Sequence, residues 1–315
     1  MPPDTQPGHT APQIPMPLSH LLLCLSIAAT LLPVRAPWPW LSLLIMAVTA
    51  GLVNGQLTIA AMVPVAALGA LAWMAIEARH RPRREAALML LMLVIGFALA
   101  LHLLPGFLNP SYLATTSDAR PPSLKYLNFD KGVAGMLMLA VLASQQRRRW
   151  ERAEATPSSP SAPSAPFTPP TGLPRFALWA VVAATLALPW LLAVIAGIGQ
   201  PTLRWPDNAS LYLAANLFLT CVAEEAAFRG VIQGLLARRL GSDLRTLNGW
   251  LPVLLATVLF SLAHAPGGTL YVALAMLAGL GYGLAYTLSR RIEVAIVLHF
   301  GLNALVFLTL NLGHG

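Results

Sequence analysis

Residues 211–236 read LYLAANLFLTCVAEEAAFRGVIQGLL. Helix spanning a hydrocarbon layer about 30 Å thick takes roughly 20 apolar residues, and this run is long enough. Inside it sit Glu224, Glu225 and Arg229. A charge at mid-bilayer costs about 3 kcal/mol or more, so these three must face protein and partner one another. Glu225 and Arg229 are four residues apart, share one helix face and form a natural buried ion pair. Glu224 is turned about 100° away and has no cation on its own helix. Desolvation then favours its neutral form, and a carboxyl so poised suits general-base work near neutral pH.

The rest of the chain agrees with a membrane reading. Of 315 residues, 57% are hydrophobic and 10% charged, with a mean hydropathy of +0.66; soluble domains carry about 25% charged residues. Apolar segments at 17–34, 37–53, 56–77, 86–105, 132–146, 176–198, 209–237, 250–264, 268–289 and 292–312 predict an all-α polytopic bundle of eight to ten membrane helices. Arginines at 79, 81, 83, 84, 147, 148, 149, 152, 238, 239, 245, 290 and 291 follow odd-numbered spans. They define one cytoplasmic side, with both termini outside. Arg120, Lys125, Lys131 and Arg204 fall in outer loops. The net charge of +8 therefore sets topology and does not mark a nucleic-acid partner. The segment before residue 17 lacks a basic stretch typical of a cleaved signal peptide, so the first span is expected to be retained. Trp38, Trp40, Trp205 and Trp250 lie near span ends, as an interfacial belt does. Cys24 and Cys221 offer no disulfide framework or metal knuckle.

Residues 154–174, EATPSSPSAPSAPFTPPTGLP, read as an extended flexible linker. It separates an N-terminal helical region, 1–153, from a helical region 175–315. Gly230–Gly234 and Gly279–Gly283 have the spacing that allows close helix contact. Two further polar islands interrupt the apolar spans: FSLAH, with Phe260 and His264, and HFGLN, with His299 and Asn303. At 1.5 Å per residue, Glu224, His264, His299 and Asn303 lie roughly 10–21 Å from the cytoplasmic ends of their helices. A single intramembrane cavity can hold all four.

Three motifs in order, AEEAAFR as EExxxR, FSLAH as FxxxH and HFGLN as HxxxN, resemble the CPBP family of type II CAAX prenyl endopeptidases and Abi relatives. LHLLPGFLNP (101–110) and LNFDKGVAG (127–135) resemble the N-terminal halves of some bacterial members. The resemblance implies a glutamate-dependent intramembrane endopeptidase of a bacterial cytoplasmic membrane, acting on a membrane-associated or lipidated protein without a cofactor. Glu224 would activate water with help from His264. His299 and Asn303 would line the oxyanion hole. Glu225 and Arg229 would brace the helix, with Phe260 as packing. Peptide hydrolysis needs such a base and such donors.

Two alternatives stand beside this reading. The same Glu and His residues could hold zinc, although HExxH is absent and Arg229 would repel a dication. The protein could also be a non-catalytic immunity factor, scaffold or transporter. Asn128, Asp130 and Lys131 read as the N-terminal cap of span 132–146 or as an outer gate to the site. His9, His80, His102 and His314 carry no assigned role.

Overall fold

The computed structural model describes residues 15–32, 36–113, 124–155, 176–206 and 208–312. Ten helical rods lie among them: α1 (Leu18–Thr30), α2 (Trp38–Val53), α3 (Met62–Glu77), α4 (Pro82–Ala100), α5 (Phe129–Ala155), α6 (Phe176–Ile195), α7 (Ala209–Leu240), α8 (Leu247–Leu262), α9 (Thr269–Ser289) and α10 (Ile292–Thr309). Each apolar segment of the sequence becomes one rod. Of the linker, Glu154 and Ala155 finish α5, and the rest lies outside the described residues, as do Arg35, Arg120, His9 and His314.

Five rods are long and apolar enough to cross a bilayer, and α1, α2 and α8 are shorter apolar helices. The outward faces confirm the solvent. On α6, Leu188, Leu191, Leu192 and Ile195 are exposed; on α8, Leu254, Leu255, Val258, Leu259 and Leu262 are. Water would penalise such contiguous apolar surface; lipid does not. The chain is an integral membrane protein with an all-α architecture.

Helix α5 occupies the centre. Its residues from Val133 to Leu142 are all buried, and the small Gly135 among them is pressed against α7. It runs beside α7 in the same direction: a Cβ added at Gly135 would lie 2.4 Å from the Ala223 Cα, and one at Gly230 would lie 2.1 Å from a Leu142 methyl. Only glycine lets these two helices approach so closely. Beyond the apolar segment, α5 continues as a polar helix whose side chains meet Glu85 of α4. Gln145 donates to Glu85 at 3.0 Å and Arg148 pairs with it at 3.2 Å. The extension past residue 146 is thus stabilised by partners that apolar periodicity does not register.

The arginine-bearing ends of α3, α5, α7 and α9 lie together, and two small two-stranded sheets, the first a hairpin, close the opposite end. β1 (Ser111–Leu113) pairs antiparallel with β2 (Leu124–Tyr126), Ser111 opposite Tyr126. β3 (Gly199–Pro201) pairs antiparallel with β4 (Leu310–Leu312), Gly199 opposite Leu312. The last span therefore stops as helix at Thr309 and finishes as strand.

Candidate active site

Helix α7 is not regular. Residues Asn216–Cys221 and Ala226–Gln233 are π-helical, and the α-helical turn Val222–Glu225 lies between them. Wide π turns are rare and cluster where side chains must be re-aimed. Here they flank the two glutamates.

Glu225 and Arg229 lie fully inside, both at 0% exposure, with Nε 3.3 Å from Oε2. The contact is an ion pair at that distance, without hydrogen-bond alignment. Arg229 also donates to the Gly279 carbonyl of α9 at 2.9 Å and stacks over Phe260, 4.4 Å from the ring centroid. One turn on, Gln233 donates to the Gly283 carbonyl at 2.9 Å. The Gly279–Gly283 pair noted in the sequence thus receives both donors, whereas Gly230 faces Leu142 of α5. Phe260, 2% exposed, is the aromatic hub, edge-on to Phe228, Tyr282 and His299.

Glu224 points into a cavity of about 480 Å³, whose wall includes His264, His299 and Asn303 as well. The structure therefore brings all four expected site residues to one space. His264 Nδ1 is 2.8 Å from the Phe260 carbonyl. A carbonyl only accepts, so Nδ1 carries the proton and a neutral His264 presents a bare Nε2. That Nε2 is 3.9 Å from Glu224 Oε2, and His299 Nε2 is 3.9 Å from the same oxygen. Both gaps are too long for a direct hydrogen bond and suit one bridging water. Oε2 is buried and has no hydrogen-bond partner within the protein. His299 is fixed from behind: its Nδ1 donates to Glu225 Oε1 at 2.8 Å and its ring stacks on Tyr282 at 4.6 Å. Asn303 donates to Asn216 Oδ1 at 3.3 Å.

One expectation is corrected. Glu224 is not short of a cation: Lys131 Nζ from α5 lies 2.6 Å from its Oε1. The sequence placed Lys131 just outside a span beginning at residue 132. The helix begins at Phe129, so Lys131 sits in its first turn, inside the bundle. The cap of α5 also differs in part from expectation. Of the expected cap residues, Asp130 does accept a first-turn N–H, that of Lys131 at 2.7 Å, whereas Asn109 rather than Asn128 accepts the Phe129 N–H at 2.9 Å. Asn216, which orients Asn303, was visible only as a stray amide in an apolar span. Among the described residues, no group of three or more His, Cys, Asp and Glu side chains is arranged to hold a metal ion, and the Lys131 ammonium already takes Oε1 of Glu224.

A carboxylate and two imidazoles thus meet at one cavity inside the apolar helical bundle of a membrane protein. Consistent with this, the family model described as Rce1-like, type II CAAX prenyl endopeptidase Rce1-like, matches residues 206–305, about a third of the chain. That segment contains all three motifs and is similar to the family they resemble. No curated protein and no solved structure matches the chain.

Proposed function

We propose that the protein is an intramembrane endopeptidase in which Glu224 activates water. The observation that carries this is the buried, unpartnered Glu224 Oε2 facing two imidazole nitrogens at 3.9 Å each. A water held there gives a proton to Oε2 while His264 Nε2 orients it. The oxygen attacks the scissile carbonyl. The oxyanion so formed is met by the Asn303 amide and by His299, whose imidazolium form would have Glu225 as counter-charge. Glu224 then passes its proton to the leaving amine. No covalent intermediate is required.

The cavity wall includes Tyr112, Lys125 and Tyr126 from the first hairpin and Tyr271 at the start of α9. All belong to the end opposite the arginine clusters. With those arginines cytoplasmic, the cavity opens on the far side of the membrane. The substrate is therefore a membrane-anchored or lipidated protein presenting its cleavable segment there, and the setting is a bacterial cytoplasmic membrane. In this reading residues 175–315 form the catalytic region, and the N-terminal region up to residue 153 completes its walls.

Mass spectrometry of new protein termini, in membranes holding wild type or Glu224→Gln, tests the proposal. The expected result is at least one terminus found only with wild type, while both proteins accumulate equally. The same set of termini in both samples would overturn it.

A further inference from the structure

The segments LHLLPGFLNP and LNFDKGVAG lie outside the stretch that matches the family, yet they meet in space. Asp130 is buried. Its Oδ2 takes hydrogen bonds from His102 Nδ1 at 2.9 Å and Asn109 Nδ2 at 3.1 Å, and its Oδ1 takes the Lys131 N–H at 2.7 Å. Asn109 Oδ1 accepts from the Phe129 backbone, and the Leu127 N–H bonds the Pro110 carbonyl at 2.9 Å. From α1, His20 Nε2 lies 3.0 Å from the Leu127 carbonyl. His102 itself adopts a left-handed backbone, φ 56°, which a non-glycine residue holds only when its surroundings enforce it. The first turn of α5 is thus fastened from three directions. One turn later, Gly135 lies against Ala223, which sets the distance from α5 to the neighbouring Glu224.

We infer that this clamp exists to deliver Lys131 to Glu224, and that Lys131 is a positioning residue for the water-activating carboxylate. The inference rests on the reading of Glu224 as base. Lys131 takes Oε1 at 2.6 Å from the side facing α4 and α5. It fixes the carboxyl plane and leaves Oε2 for the cavity. It also supplies the positive charge that lets a carboxylate persist in an apolar bundle. The other titratable groups around Glu224 are His264 just beyond α8, His299 of α10, Tyr271 and Tyr282 of α9, and Cys221 and Glu225 of α7. Only the histidines could share the cationic role, and both keep 3.9 Å away. Lys131 therefore decides both the charge and the aim of Glu224. The N-terminal helices contribute a working part of the site.

Infrared difference spectra of purified wild type against Glu224→Gln isolate the carboxyl group of residue 224 without any substrate. At pH 7 the expected signal is a carboxylate in wild type and in Lys131→Arg, and a neutral acid in Lys131→Met. Cleavage of the substrate found by terminus mapping should fall about 100-fold in Lys131→Met, in the range of a general base lost, with KM little changed. Alkylating Lys131→Cys with 2-bromoethylamine rebuilds a side chain of lysine length and should restore both signal and cleavage; wild type treated in parallel controls for Cys24 and Cys221. Where Lys131→Met does not accumulate, unalkylated Lys131→Cys takes its place. A carboxylate signal that ignores removal of the ammonium overturns the inference. A carboxylate that depends on Lys131, in a protein that cleaves nothing, leaves the pairing intact and sinks only the peptidase reading.

Discussion

Replacing Arg229 by Met should destabilise the protein far more than replacing Glu224 by Gln. Arg229 has 0% exposure and loses three contacts at once: the Glu225 pair, the Gly279 carbonyl and the Phe260 ring face. What remains is the Glu225 carboxylate, also at 0% exposure, held only by His299. Breaking one side of a buried pair costs about 3–5 kcal/mol. Glu224 and Lys131 keep 15% and 19% side-chain exposure, so Lys131 can swing toward the hairpin end, and the cost should stay near 1 kcal/mol. At about 2 °C per kcal/mol for a chain of this size, the midpoint of Arg229→Met should drop by roughly 6–10 °C and that of Glu224→Gln by about 2 °C. The molecule supplies its own reporter. Both free cysteines, Cys24 and Cys221, are buried, so a thiol-reactive dye lights up only on unfolding. Equal midpoints for the two variants would refute the division into one bracing acid and one acid at the cavity wall.

Further outcomes follow from the same geometry. His264→Ala should lower the cleavage rate 10²–10⁴-fold, with an unfolding midpoint close to wild type in the dye assay, because its ring lies at the cavity edge. Asn303→Ala should cost about 10²–10³ in rate; Asn216→Leu, which removes only the group orienting Asn303, should cost less, and kinetics on the mapped substrate rank the two. Gly135→Val should overpack the contact with Ala223, where even a Cβ would sit 2.4 Å from backbone; the expected loss is about 1–3 kcal/mol, together with the Lys131-dependent carboxylate signal.

The sequence carried the bundle because ten apolar runs leave little choice in lipid, where every backbone polar group must be satisfied within a helix. It also carried the Glu225–Arg229 pair, since two opposite charges four residues apart on one helix have nowhere else to go. Lys131 escaped for a specific reason. It lies at the boundary of its apolar run, and its partner is 93 residues away, so no local spacing links them. The π-helical turns of α7 were equally silent, because a shift in backbone hydrogen-bond register leaves no mark on an apolar run; the first packs against α5 and α10 and the second against α5 and α8. The three-residue strands were too short to show an alternating pattern. The Asp130 cluster lay hidden in two segments that look like ordinary loop and cap until the fold joins them.

The central claim is that Glu224 Oε2, His264 Nε2 and His299 Nε2 bracket one reacting water inside the bundle. A density map of the protein in lipid nanodiscs, sharp enough to place solvent, tests it most directly. The account requires a single water-sized peak within about 3.1 Å of Oε2 and at least one of the two nitrogens, with the Lys131 ammonium still on Oε1. A carboxyl rotated out of the cavity, or a peak with the scattering of a transition metal bound by these side chains, would contradict it.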